Sequence, residues 1–139
     1  MTLRLLYIGK PRDPHANQIA QEFMKRAGRF SRVEMREIQP ARLDPWTRYP
    51  AERKVLLDPA GQPLDSPRFT RLIGEAETSG RGLVFVVGGA SGLPGGWRER
   101  AGLLLSLSAL TLPHELARAV LAEQIYRALA ALRGHPYPR

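Results

Sequence analysis

Apolar positions along this chain recur in two alternating rhythms, short continuous or every-other-residue runs and longer stripes at helical spacing. Leu3–Gly9 is a compact apolar run closed by glycine, and the Lys-Pro-Arg-Asp-Pro after it reads as a loop from its prolines. Over residues 15–28, Ile19, Ala20, Phe23, Met24 and Ala27 share a helical face, with Gly28 as the stop. Val33 and Met35 alternate with charged residues and Ile38 ends the run, the pattern of a partly exposed strand. Residues 39–50 carry three prolines and no periodicity, which predicts a loop with at most one helical turn. Val55–Leu57 predicts a brief strand ending in a turn at Asp58-Pro59-Ala60-Gly61.

In the second half, Ser66 is the expected helix cap with Pro67 at the first helical position, and Phe69, Leu72, Ile73 and Ala76 form one face. Leu83–Val87 is apolar at every position, as a strand buried on both sides must be. A short helix around Trp97–Leu103 and a strand over Leu104–Leu110 are expected next. Glu115–Arg133 predicts the longest helix, with Leu121, Ile125, Ala128 and Leu132 on one stripe and Gly134 past its end. Strands alternating with helices predict an α/β fold over 1–139 as one domain, a mostly parallel sheet with helices on both faces.

Composition narrows the chemistry. The 139 residues are 43% hydrophobic and 24% charged, an ordinary globular balance, and there is no cysteine. That excludes disulfides, thiolate metal sites and cysteine nucleophiles. No apolar run is long enough to span a bilayer and the first residues lack a signal-peptide pattern, so a soluble cytoplasmic protein with no membrane partner is expected. The net charge of +8 is uneven: residues 1–54 hold 12 basic and 6 acidic groups, residues 55–139 hold 9 and 7. A positive face gathered in one part of a small domain points to a polyanion such as RNA. Eighteen of the 21 basic residues are arginine, which a GC-rich genome would also produce.

Gly88-Gly89-Ala90-Ser91-Gly92 follows the buried strand directly, where open α/β sheets bind ligands. Its glycines serve either close backbone approach to a ligand or a tight turn required by packing. There is no GxxxxGK[ST] and no GxGxxG with an acidic ribose partner, so neither a P-loop nor a Rossmann site is present. His15, His114 and His135 are scattered without carboxylates at ligand spacing, so no metal site is expected. No G-x-S-x-G elbow occurs, and Ser106 and Ser108 have no evident base. The tail from Gly134 to Arg139 carries His135, Tyr137 and Arg139 and is stiffened by Pro136 and Pro138, as suits either a tail that forms part of a site or one that is merely docked. Glu123 and Gln124 interrupt an apolar helix and face either solvent or a subunit interface.

Three segments taken together resemble a known family: Val87–Gly92, the string Leu105–His114 (LSLSALTLPH), and Ala122–Ala128 running on to His135-Pro136-Tyr137. They closely resemble the bacterial ribosomal RNA large-subunit methyltransferases of the SPOUT class, and the likeness extends over nearly the whole chain, including the Leu56–Gly61 turn. The resemblance implies a sheet whose C-terminal part is threaded into a trefoil knot, a topology that sequence physics alone would not predict. It implies methylation of N3 of a pseudouridine in 23S rRNA on the assembled ribosome, by a homodimer using S-adenosyl-L-methionine. Leu57, Gly88, Leu107, Ser108, Ala109, Leu110, Thr111 and Leu112 match the family's cofactor-binding positions. His135, Tyr137 and Arg139 match its catalytic tail, reaching across the dimer.

Two departures stand out. The family ends in HPYHR or HPYHK, whereas this chain has Pro138 in place of the second histidine, and proline can neither move a proton nor donate a hydrogen bond. Arg139 is then expected to stabilise charge on the target ring, with His135, Tyr137, the terminal carboxylate or water taking the N3 proton. The segment 39–54 is shorter and richer in proline than in the family, which alters a surface insertion. Against the methyltransferase stand an inactive ribosome- or RNA-binding SPOUT protein, a SPOUT enzyme acting on another RNA position such as a tRNA base, and a small-molecule methyltransferase.

Overall fold

The computed structural model describes residues 1–137. In chain order the elements are β1 (Thr2–Ile8), α1 (Pro14–Ala27), β2 (Arg32–Ile38), α2 (Pro45–Arg48), β3 (Arg53–Pro63), α3 (Ser66–Ser79), β4 (Leu83–Val87), α4 (Trp97–Arg100), β5 (Leu103–Ser106) and α5 (His114–Leu132). The five strands form one sheet in the order β2-β1-β4-β3-β5, and every pairing is parallel. β4 is buried throughout because β1 and β3 flank it, with Leu5 and Val55 both opposite Phe85.

Pleating sends alternate residues into two separate cores. On one face Leu3, Leu5, Val55, Phe85 and Leu105 meet the apolar stripes of α1, α3 and α5. On the other, Leu6, Leu56, Val84 and Val86 are covered by only two four-residue helices and their flanking loops. That thinner layer is closed by the edge-to-face pair of Trp46 and Trp97, whose rings lie 5.5 Å apart. Lys54 is buried beside it, donating to the carbonyls of Tyr49 and Glu52, and burial pushes its ammonium pKa down.

Three helices start alike, on an aspartate cap: Asp13 accepts from the His15 and Ala16 N–H groups, Asp44 from Trp46, and Asp65 from Arg68. The α3 cap is therefore Asp65, one residue before the expected Ser66, which itself opens the helix. Ile19, expected on the buried face of α1, is 47% exposed. β2, an edge strand, shows exposed Arg32 and Arg36, charges that discourage pairing with another chain.

β3 runs well beyond the expected Val55–Leu57. Leu57 and Gln62 both pair with Leu105, so residues 58–61 bulge out of one continuous strand. The expected turn chemistry is present inside that bulge, where the Asp58 carboxylate accepts the Ala60 N–H at 2.8 Å. A Cβ on Gly61 would lie 2.7 Å from the Leu104 carbonyl carbon and oxygen, so only glycine lets the bulge lie against β5.

Candidate active site

Beyond the carboxyl ends of β4 and β5 lies a cleft of about 610 Å³, a volume in the range of sites for drug-sized ligands. The β3 bulge, the glycine loop after β4, α4 and the loop between β5 and α5 all contribute to it. The glycine loop is built by its own close packing. A Cβ on Gly88 would sit 2.8 Å from the Gly92 carbonyl carbon, and the Gly92 N–H closes a turn on the Gly89 carbonyl at 2.9 Å. Packing therefore demands these glycines, and the resulting turn lines the cleft.

The expected strand over Leu104–Leu110 ends early, at Ser106. The reason is local. Ser106 Oγ donates to the Ser108 carbonyl at 3.1 Å, and Ser108 Oγ accepts the Leu110 N–H at 2.9 Å. These bonds compete with the sheet ladder and turn the backbone toward the cleft. Leu110 is 78% exposed, a large apolar side chain at the cleft wall. Of the residues anticipated for cofactor binding, Leu57, Gly88, Leu107, Ser108, Leu110 and Leu112 line the cleft, while Ala109 and Thr111 lie in the same loop without lining it.

The tail lies elsewhere. His135 packs edge-on against Phe30, with ring centroids 5.5 Å apart, and its Nδ1 accepts the Tyr137 N–H at 3.2 Å, leaving Nε2 to carry the proton. Tyr137 stacks near Tyr126 at 4.8 Å and donates its phenol proton to Glu123. Burial first, and then the Glu123 carboxylate, push the Tyr137 phenol pKa up, so Tyr137 is protonated at neutral pH and serves as a donor. Neither side chain lines the cleft of its own chain. Arg139 and Pro138 fall outside the described residues. Glu123, left open between solvent and an interface, holds the tail and pairs with Arg127 at 2.9 Å.

Two residues were missed by sequence reading. Glu115, in the first turn of α5, accepts the backbone N–H groups of Arg12 and Asp13 at 2.7 and 3.1 Å, fastening the β1–α1 loop beside the cleft. Those bonds, the Arg12 one foremost, hold its carboxyl pKa below the usual value. Arg118 is only 2% exposed, with its guanidinium 3.8 Å from the centre of the Tyr7 ring and a hydrogen bond to Asn17 of 2.8 Å. The only signal in the sequence is an arginine set between alanines in an otherwise apolar helix.

An all-parallel sheet with a loop-built cleft at its carboxyl edge is the ligand-binding arrangement of open α/β folds, and the chain belongs to the SPOUT methyltransferase family. The family model described as "Predicted SPOUT methyltransferase" matches residues 1–138. The chain is 60% identical over 139 residues to the "Ribosomal RNA large subunit methyltransferase H" of Solibacter usitatus, covering 100% of both chains. It is 40% identical to the protein of the same name from Thermus thermophilus, covering 100% of this chain and 99% of that one. Among solved structures, a "Probable Methyltransferase" from Bordetella pertussis Tohama I shares the fold with a TM-score of 0.59 at 15% identity, over 91% of this chain and 95% of that one. The SpoU methyltransferase AviRb from Streptomyces viridochromogenes, solved with AdoMet, gives a TM-score of 0.53 at 16% identity, over 91% and 57% of the respective chains.

Proposed function

We propose that this protein transfers a methyl group from S-adenosyl-L-methionine to N3 of a pseudouridine in 23S rRNA on the assembled ribosome, acting as a cytoplasmic homodimer. The observation that carries the reading is 60% identity over its full length to a ribosomal RNA large subunit methyltransferase, together with a cleft where the cofactor-matching loop converges. The cleft fits this cofactor in kind, since an adenosine needs apolar walls and backbone partners, which Leu57, Gly88, Leu107 and Leu112 provide. Bound S-adenosyl-L-methionine would supply an already activated sulfonium methyl.

The protein's task is then to align N3 with that methyl and to remove the N3 proton. In this reading the tail of a second copy completes the cleft, because His135 and Tyr137 do not line the cleft of their own chain. Ile19 and Leu116 leave apolar side chains exposed on the adjoining helices α1 and α5, where a second copy would cover them. Tyr137, held protonated on Glu123, positions the tail. With His135 Nδ1 engaged by the Tyr137 N–H and Nε2 already protonated, water or the terminal carboxylate is left to take the proton, and Arg139 to stabilise charge on the ring. The trefoil threading implied by the family resemblance belongs to the same reading, and the +8 charge suits an rRNA substrate.

The test is transfer of labelled methyl from S-adenosyl-L-methionine to ribosomes from a strain lacking the modification, with the product mapped by mass spectrometry. Label on N3 of a single pseudouridine is expected. Label on another RNA position would replace the substrate, and cofactor and ribosome binding without transfer would make this a binding protein whose Pro138 marks lost chemistry.

A further inference from the structure

The cleft wall is apolar side chain and backbone almost throughout, yet two opposite charges face it. Asp58, on the β3 bulge, and Arg98, on α4, both line the cleft and form an ion pair at 2.8 Å. They are unlike in mobility. The Asp58 side chain is 10% exposed, and its Oδ1 is fixed by the Ala60 N–H at 2.8 Å while Oδ2 takes Arg98. The Arg98 side chain is 52% exposed and its guanidinium has no other carboxylate among the described residues. A pair this exposed on one side contributes little to stability, so it opens or widens at small cost. The bulge that presents Asp58 exists only because Gly61 lets four extra residues loop out against β5.

We propose that Asp58 and Arg98 form a zwitterion site for the amino-acid end of the cofactor, Arg98 taking the α-carboxylate and Asp58 the α-ammonium. The inference rests on the cofactor reading above and extends it to two residues outside the cofactor-matching loop. S-adenosyl-L-methionine divides as the cleft lining does, into an adenosine suited to apolar walls and backbone and an α-amino acid carrying one charge of each sign. A pre-formed pair meets such an end by inserting it, giving an alternating sequence of guanidinium, carboxylate, ammonium and carboxylate in which no charge loses a partner. Among the described residues, Asp58 and Arg98 are, apart from His114, the cleft's only titratable side chains, and no other group there offers the same complementarity.

Calorimetric titration of the full chain tests this with three ligands: S-adenosyl-L-methionine, its decarboxylated analogue, which keeps the ammonium and the sulfonium but lacks the carboxylate, and 5′-methylthioadenosine, a neutral thioether with none of these charges. Arg98→Met keeps the aliphatic stem, and Asp58→Asn keeps an oxygen for the Ala60 N–H, so melting temperatures near wild type are expected for both. Arg98→Met should weaken S-adenosyl-L-methionine by about tenfold or more while leaving the decarboxylated analogue and 5′-methylthioadenosine within twofold. Asp58→Asn should weaken both ammonium-bearing ligands and spare 5′-methylthioadenosine. Equal losses on all three ligands, or none on any, would overturn the proposal by showing that the pair only shapes or merely decorates the cleft. If the wild-type protein binds none of the three, the cofactor reading itself falls and this inference with it.

Discussion

Arg118 offers the sharpest test of how the site's framework is held, because nearly all of its side chain is out of water. Its replacement by alanine removes a charged hydrogen bond to Asn17, about 2 kcal/mol, and a desolvated cation–π stack on Tyr7, about 2 kcal/mol. It also removes two packed methylenes, Cγ and Cδ, at about 0.8 kcal/mol each. The loss of the Glu115 contact adds little, because that carboxylate keeps the N–H groups of Arg12 and Asp13. One gain opposes these losses: Nε is buried with no partner among the described residues, and relief of that desolvation returns about 2 kcal/mol. The balance is a destabilisation of about 4 kcal/mol, within the range for breaking a buried charged contact. Arg118→Met, which refills the apolar space, should cost less than half of that. Urea unfolding followed by circular dichroism measures both. The two variants also carry a spectroscopic signature, since Arg118 pulls the Tyr7 phenol pKa down against the larger upward push of burial. Its removal should move that titration higher. A loss under about 1 kcal/mol for Arg118→Ala, or an equal loss for methionine and alanine, would refute this accounting.

Glu123→Gln removes the carboxylate's upward influence on Tyr137 and leaves burial opposed by Arg127, so its phenol titration should fall, as read by ultraviolet difference absorbance. Glu115 and Glu77 both have depressed carboxyl pKa values, through the Arg12 N–H and the Arg133 guanidinium respectively. Below their ordinary 4.5 the unfolded chain binds more protons than the folded one, so their contribution is complete above that pH and is lost as pH falls through the folded values. Thermal melts from pH 6 to 3 should show this acid loss, and Glu115→Gln should flatten it. Gly88→Ala drives a Cβ into the Gly92 backbone, which cannot step aside as a side chain can, so it should cost about 1–3 kcal/mol and abolish cofactor binding in the same titration.

Where structure follows from neighbours a few residues apart, the sequence was legible. The all-apolar Leu83–Val87 is the central strand, and Gly80 stops α3. The discrepancies arise where the deciding partner is distant. Val55–Leu57 looked like a three-residue strand because Asp58–Gly61 carries turn chemistry, and nothing nearby shows that Gln62 and Pro63 rejoin β5 more than 40 positions later. Leu104–Leu110 looked like a strand because its leucines outnumber its serines, yet two serine hydroxyls redirect the backbone. The contacts of Glu115 and Arg118, which brace the elements around the cleft without lining it, were invisible because their partners Arg12, Asp13 and Asn17 lie about 100 residues away. The cleft loop was found through resemblance, and only the coordinates show the ion pair across it.

The place of β4 in the sheet also governs the order in which the chain can acquire structure. Of the four pairings, those of β1 with β2 and of β3 with β4 join strands consecutive in sequence, and β4 is what connects the first pair to β3. A growing polypeptide that has not passed Val87 therefore holds two strand fragments with nothing between them, and neither apolar face can close. α5, which packs against both α1 and α3 on one face, arrives later still. Folding must wait for nearly the whole chain, so the kinetics should be those of a topology dominated by long-range contacts, slow for its size and without a stable N-terminal half.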